Sequence, residues 1–466
     1  VGRLAVVVQV LVPLVAAIAW WSPALDFDFS QDDFPRLAPS HPGWVRARAL
    51  FLPAPRGSTG PSHSACSSGS TSSCSGLNPR GHHAATLAVH LANAVLVGVL
   101  ARRWIGRWAL LPAGLAFALH PVHFFEVSWV SGVSQSLCVL FMLLALVSFD
   151  SFSLRARGWL LAAALAATAS ALLSKEDGVM LPVLVTALAF AQPARARLRR
   201  MATVLVPFWL MAAGYLTLRL GILGFGLPST GVYHFGLEPR LLLAKALRYT
   251  HWLLISWPFA VTLVAACVVA VATRRGTTWR PPTRAVSLLL FCAPLSLFPT
   301  FLVPSSAGHY LSLASAVLAV AIAGLVRLTA PGWWRFAVAS VLAVVFLASS
   351  WQERSRLLAS QDMSVPIPAK AALCRAWVEE LRTDRELAKP GCDVVLRDAP
   401  LQDWERAWLS FLPMIAWDRP MPLERVHVVL TGDPAPMLPA GGCSATWSLT
   451  FGGARYLAPE PSPVNH

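Results

Sequence analysis

Several short stretches of this 466-residue chain combine residue types and spacings that could do chemistry. Asp32-Asp33 stands in Phe29-Ser30-Gln31-Asp32-Asp33-Phe34. Adjacent carboxylates can divide their roles, because like charges disfavour double ionisation, and one of the pair can then serve as a general base. A solvated acidic loop is the plainer alternative. His120-Pro121-Val122-His123, with Glu126 close behind, offers two imidazoles and a carboxylate. Such a set can bind a metal, orient a loop or contact a phosphate. In Ser174-Lys175-Glu176-Asp177 the lysine can meet an anionic headgroup or pair with Glu176. His82-His83, His90 and His309-Tyr310 add further polar groups, and hydrogen-bonded packing accounts for His90 as well as ligation does.

The elements that position these residues follow from composition. The chain is 56% hydrophobic and 13% charged, with a mean hydropathy of +0.57 and a net charge of +15. Soluble domains average about a quarter charged residues, and apolar surface this abundant excludes disorder. Runs of about 17–25 apolar residues can cross a bilayer. Here they fall at Leu4–Trp21, Ala84–Ala101, Trp108–Leu119, Val133–Phe149, Trp159–Leu173, Gly178–Ala191, Met201–Leu220, Phe259–Thr273, Ala285–Val303, Tyr310–Val326 and Trp333–Ser350. Leu241–Trp257 carries Lys245, Arg248 and His251, which are costly at the bilayer centre, so it reads as interfacial or re-entrant, with a full span as the alternative. The expectation is an all-α polytopic membrane protein with about 11 transmembrane helices, numbered as residues 1–350.

Arginine outnumbers lysine 34 to 4, which suits a GC-rich bacterial genome. Fifteen of those arginines fall in the short loops that are cytoplasmic if the N-terminus is inside. The short loops on the other side hold only Lys175 and Arg240. The positive-inside rule then gives N-in, C-out topology in a bacterial inner membrane. The excess charge therefore sets topology and implies no nucleic-acid partner. Trp20-Trp21 makes a poor signal-peptide cleavage site, so the first run is expected to stay as an uncleaved span. This topology gathers Asp32/Asp33, His120/His123/Glu126, Lys175/Glu176/Asp177 and His309/Tyr310 at the outer face. A polar site there, above lipid-depth helices, suits a substrate with a polar head and an apolar tail.

Two regions lie outside the spans. One is the first external loop, 22–83; the other is the tail, 351–466, with mixed charge and short apolar runs at Val394–Leu396 and Val426–Leu430. The tail reads as a small C-terminal external (periplasmic) α/β domain with an amphipathic stretch at Ala371–Leu387. Cys374, Cys392 and Cys443 lie there, where oxidation is possible, but three cysteines cannot all pair among themselves.

The chain resembles the GT-C class of lipid-sugar-dependent glycosyltransferases, most nearly the transmembrane-and-TPR O-mannosyltransferases and their bacterial relatives. The resemblance runs from about Asp26 to Trp351. It rests on Gly76-Leu77-Asn78-Pro79-Arg80-Gly81-His82-His83, on Leu119-His120-Pro121-Val122-His123-Phe124-Phe125-Glu126 continuing to Gly132, and on Leu173-Ser174-Lys175-Glu176. Weaker matches are Tyr215–Arg219 and His309–Ser315. The resemblance implies transfer of a sugar from a polyprenyl-phosphate carrier to an acceptor hydroxyl on the external face, with inversion. It implies an aspartate base in the first external loop, Asp33 in preference to Asp32. Lys175, His123, His309 and Arg219 are the candidates to meet the leaving phosphate, and His120, Glu126, Glu176 and Tyr310 complete the substrate-binding set. Many relatives work without metal, so no metal or other cofactor is expected.

Three departures stand out. Relatives often carry Glu-Arg before the tyrosine that matches Tyr310, where this chain has Gly308-His309. TPR repeats are absent from the tail, so an acceptor recognised through repeats is not supported. Where relatives have an Arg-Pro-Leu motif and an apolar helix, this chain has a Ser/Thr/Gly/Cys-rich run, Ser58–Ser75. That run is either a flexible loop, closed by a Cys66–Cys74 disulfide, or the product of two compensating frameshifts. Read one base earlier with suitable codons, it restores the motif and the helix. A non-enzymatic lipid-sugar transporter and a degenerate inactive relative are the competing functions. A transporter is expected to carry its polar groups near the bilayer midplane between repeated halves, whereas these cluster toward one face.

Overall fold

The structure is a computed structural model that describes residues 3–30, 33, 78–190, 198–222, 238–272, 308–328, 333–361, 368–384, 392–399, 409, 412–417, 425–433, 443–451 and 453–457. The expected span Ala285–Val303, the run Ser58–Ser75 and Asp32 lie outside the described residues. The chain divides into two compact units. The first comprises Val1–Ala24, His83–Val127 and Gly132–Leu357; the second comprises Leu25–His82, Ser128–Ser131 and Leu358–His466.

The first unit is helical. Its elements are α1 (Arg3–Trp21), α2 (Pro79–Trp104), α3 (Leu110–Ala118), α4 (Phe124–Ser128), α5 (Val133–Arg155), α6 (Gly158–Ser174), α7 (Leu181–Phe190), α8 (Leu198–Leu216), α9 (Pro239–Leu254), α10 (Trp257–Ala272), α11 (Ser312–Leu328) and α12 (Trp333–Leu358). Helix is the form that satisfies every backbone group without water. Among the described residues six helical segments are long and apolar enough to cross a membrane, or up to eight if each bent pair counts as one span. The protein is thus a multi-pass membrane protein.

One expected span and the charged run expected to be interfacial or re-entrant both enter bent helix pairs. Trp108–Leu119 holds the end of a 3-10 turn, Arg107–Ala109, and the nine-residue α3, about 14 Å of α-helix, and the chain then bends by 49° into Pro121–Ser128. The charged run Leu241–Trp257 becomes α9, which meets α10 at a 79° break. Ile255, in the break, takes a φ of 61°. This geometry is shared by broken spans and re-entrant loops.

Packing inside the unit relies on small residues, as it does where lipid removes the hydrophobic drive between helices. At Gly98 of α2 an added Cβ would stand 2.8 Å from the Leu110 carbonyl oxygen of α3. Only glycine permits that approach. Ala94, Val97 and Ala101 share the α2 interior, and Ala113 and Phe117 line α3. The opposite faces are apolar and exposed, for example Val7, Leu11 and Val15 of α1 and Phe336 and Val344 of α12.

The second unit holds α13 (Pro368–Thr383), α14 (Leu412–Trp417) and a sheet of β1 (Asp393–Ala399), β2 (Val426–Leu430), β3 (Ser444–Thr450) and β4 (Gly453–Leu457). The strand order is β2-β1-β3-β4. β1 pairs in parallel with both β2 and β3, and β4 closes the sheet antiparallel to β3. Trp377 and Leu381 of α13 pack with Trp417, Trp447, Leu396 and Leu449 in one core. Cys392 and Cys443 form a disulfide at the head of the β1–β3 pair. Cys374 stays a thiol, which resolves the odd count of tail cysteines.

Candidate functional site

The His-Pro-Val-His segment follows α3 because its own side chains build the turn. His120 is the N-cap of a 3-10 turn, Pro121–His123, with proline at its first position. The Val122 N–H donates to His120 Nδ1 at 3.2 Å, and His120 Nε2 lies 3.0 Å from the Leu253 carbonyl. A carbonyl only accepts, so His120 carries its proton on Nε2. Gly132 lets α5 begin tightly against this turn: a Cβ there would lie 2.7 Å from Phe125 O and 2.9 Å from Glu126 Cα.

His123 and Glu126 face inward and are fully buried. His123 Nδ1 stands 3.3 Å from Glu126 Oε2, and His123 Nε2 lies 3.0 Å from Ser315 Oγ of α11. Ser136 Oγ of α5 donates to Glu126 Oε2 at 3.3 Å. His90 of α2 joins them, its ring centroid 4.8 Å from that of His123. Its Nε2 lies 3.0 Å from the Ala118 carbonyl. His90, His123 and Glu126 each offer one ligand atom within 4.8 Å of the others, so this trio could hold a metal ion. His120 is not in it.

A second polar group forms around the Ser-Lys-Glu-Asp turn. Lys175 Nζ sits 4.7 Å above the Tyr310 ring, and the His309 ring packs 4.4 Å from the same tyrosine. Glu176 lies 3.5 Å from Arg219 Nη1, which also donates to Tyr215 Oη at 2.7 Å. Five of the residues singled out by sequence thus fall into two adjoining clusters, Lys175/His309/Tyr310 and Glu176/Arg219. Lys175, Glu176, His309, Tyr310 and Arg219 are half-buried, a setting for a charged headgroup. Asp177 beside them is buried, and burial raises its carboxyl above the usual value of 3.8; Lys175 opposes this and Glu176 adds to it.

In the second unit Asp33 is 1% exposed. The Ser131 N–H donates to its Oδ1 at 2.7 Å and the Ser30 N–H to its Oδ2 at 3.0 Å. Trp129 Nε1 donates to the Ser30 carbonyl at 3.3 Å, which holds the same loop. Two further acidic residues of this region pair with arginines: Asp26 with Arg80 at 2.5 Å and Asp28 with Arg375 at 3.5 Å. Burial raises the Asp28 carboxyl, and Arg375 opposes the rise. These four residues line a cavity of about 580 Å³ together with Asn78 and Glu379. Sequence reasoning passed over Asp26 and Asp28, and it quoted Arg80 only as part of a motif. Ser136 carried no sequence signal, because it is one serine among many in an apolar helix, and Ser315 entered only as the end of a weaker match.

No protein-family model matches the sequence. Protein O-mannosyl-transferase TMTC2 of Mus musculus is 34% identical over 112 residues, which is 22% of this chain and 13% of that protein. The same figures hold for TMTC2 of Homo sapiens. The match therefore spans about an eighth of those relatives. Among solved structures, ArnT from Cupriavidus metallidurans bound to undecaprenyl phosphate superposes with a TM-score of 0.53 at 14% identity, covering 90% of this chain and 89% of that one. The Archaeoglobus fulgidus oligosaccharyltransferase tethered with an acceptor peptide gives 0.51 at 11% identity, covering 92% and 64%. The chain has the fold of the GT-C glycosyltransferases and, over that one stretch, sequence similar to an O-mannosyl-transferase.

Proposed function

We propose that the chain is an integral membrane glycosyltransferase that moves a sugar from a polyprenyl-phosphate carrier to an acceptor hydroxyl. In this reading the membrane is a bacterial inner membrane, with the N-terminus inside and the C-terminal domain in the periplasm. Residues 1–350 form the membrane domain, 22–83 its first external loop and 351–466 the periplasmic domain.

The observation that carries the reading is Asp33. Its carboxylate is fixed by two backbone amides, at 2.7 and 3.0 Å, in the loop that follows the first apolar helix. A base must present a defined oxygen to the proton it removes, and the two amides define the position of both Asp33 oxygens. Asp33 takes the proton of the acceptor hydroxyl, and the freed oxygen attacks the anomeric carbon. The bond from that carbon to the lipid phosphate breaks, and the phosphate leaves with the electron pair. Attack opposite the leaving group inverts the centre. Charge growing on the phosphate needs preorganised cations. The resemblance assigns that role to Lys175 and Arg219 of the helical unit, each held there by an aromatic partner.

The donor class draws support from ArnT, solved with undecaprenyl phosphate, and a peptide acceptor from the archaeal oligosaccharyltransferase. The test is sugar transfer in proteoliposomes by the full-length protein. Asp33→Asn is expected to lower kcat about 10²- to 10⁴-fold, the usual weight of a general base; its amide nitrogen would face one of the two backbone N–H donors, so the melting temperature is expected to fall and is measured beside activity. Full activity of the Asp33→Asn variant sinks the assignment.

A further inference from the structure

We propose that His90, His123 and Glu126 form a zinc site inside the helical bundle. The argument begins with protons. His90 Nε2 faces the Ala118 carbonyl, which can only accept, so that nitrogen carries the hydrogen. His90 Nδ1 is then a bare lone pair, buried, with no hydrogen-bond partner among the described residues. Ser315 donates its hydroxyl proton to the Ser312 carbonyl at 2.8 Å, so at 3.0 Å its oxygen receives the His123 Nε2 hydrogen. His123 Nδ1 is thereby a second lone pair, turned toward Glu126 Oε2 at 3.3 Å. Glu126 Oε1 is buried and has no hydrogen-bond partner among the described residues.

Three fully buried side chains therefore carry bare acceptors in one group, each with a ligand atom within 4.8 Å of the others. Bare acceptors in an apolar interior are costly, and a cation among them removes the cost. The outward nitrogens are arranged as in known metal sites, where a ligating histidine donates its other N–H to a carbonyl or similar acceptor. Here those acceptors are the Ala118 carbonyl and Ser315 Oγ. Two imidazoles and a carboxylate suit zinc, and Glu126 chelating through both oxygens completes four donors. Zinc holds such donors at about 2.0–2.2 Å, so side-chain shifts on the order of 1 Å close a set already within 4.8 Å. Four protein donors fill the tetrahedral shell, which leaves no open position for a substrate. The site is structural, tying α2 and the His-Pro-Val-His turn together, and it stands apart from the expectation of metal-free transfer chemistry.

The full-length protein, purified in detergent and dialysed against a weak chelator, is assayed by elemental analysis. About one zinc per chain is expected, and His90→Gln or Glu126→Gln should lower occupancy at least tenfold. Cobalt added in place of zinc should give visible d–d absorption in the wild type alone. Added zinc should raise the wild-type melting temperature above its value in strong chelator and leave Glu126→Gln unmoved. Ser315→Ala, which keeps every ligand, should weaken zinc binding about 10- to 100-fold, a readout that survives if the ligand variants fail to fold. A wild type with no zinc, no cobalt spectrum and a zinc-independent melt overturns the site in favour of a water or a proton. Equal zinc in wild type and both ligand variants overturns it too, by placing the metal elsewhere.

Discussion

The two units are built inside out relative to one another in chemistry. In the helical unit the exposed faces are apolar, as with Val261, Val264 and Val268 of α10, while His90, His123, Glu126, Ser136 and Ser315 are buried. In the sheet unit the core is apolar, with Trp377, Leu396, Trp447 and Leu449, and pairs such as Arg375–Glu379 lie outward, while Asp33 and Lys370 are its buried charged side chains among the described residues. Water drives apolar groups inward. Lipid gives no such drive, so helices there associate through small residues and hydrogen-bonded polar groups. The contrast shows that one chain has been patterned for two solvents.

The largest effect that sharpens the contrast concerns the disulfide. A small domain in water gains much of its stability from such a link, and removing one typically costs about 2–5 kcal/mol. Cys392→Ser with Cys443→Ser should open the tail to limited proteolysis while total helix content stays near that of the wild type. Loss of both together would mean that the units do not melt independently. The next effect compares two residues of nearly equal exposure. Val344, in the middle of α12, is 65% exposed, and Phe451, in the turn after β3, is 63% exposed. Arginine at a span centre costs about 2.5–3.5 kcal/mol by insertion scales, whereas a surface change in water stays within about 0.5 kcal/mol. Val344→Arg should cut the yield of folded protein in membranes, and Phe451→Arg should not. Equal yields would break the assignment of α12 as a span.

Most of this contrast was legible in the sequence. Leu4–Trp21 became α1, and Trp333–Ser350 became the core of α12. Val426–Leu430 became β2 without adjustment. These are long or well-bounded apolar runs, where local pattern and burial agree. β3 escaped notice although Ala445, Trp447 and Leu449 alternate inward, because Ser and Thr between them blunt the period-2 signal. The bends also escaped. A 49° break after α3 depends on the cap made by His120 and on the close approach at Gly132, neither of which hydropathy registers. The polar cluster was half visible. His123 and Glu126 sit three residues apart on one turn, but Ser315 lies 192 residues away and arrives only through the packing of α11. His90 was taken equally well for packing, and its proton geometry emerged only once Ala118 stood opposite.

The smallest effect tests whether polar groups beside the spans feel the same dry surroundings. Asp177 is buried next to Lys175 and Glu176, and burial is the largest cause of its raised carboxyl pKa; Glu176 and Glu126 raise it further, while Lys175 and a hydrogen bond from Gln135 oppose the rise. Unfolding returns the group to an ordinary value near 3.8. The folded protein therefore binds this proton more tightly than the unfolded chain does. Its contribution to stability is fully present below the unfolded value and is lost as pH rises through the folded one. Asp177→Asn keeps the shape and a hydrogen-bonding side chain but has no proton to lose. The wild-type melting temperature should fall as pH climbs through and above the ordinary carboxylate range, and the variant should fall less. At neutral pH the variant should melt slightly above the wild type, by less than Val344→Arg costs. A wild type and variant with parallel pH profiles would mean that water reaches Asp177, and the turn would then belong with the solvated chemistry of the sheet unit rather than with the dry interior of the helices.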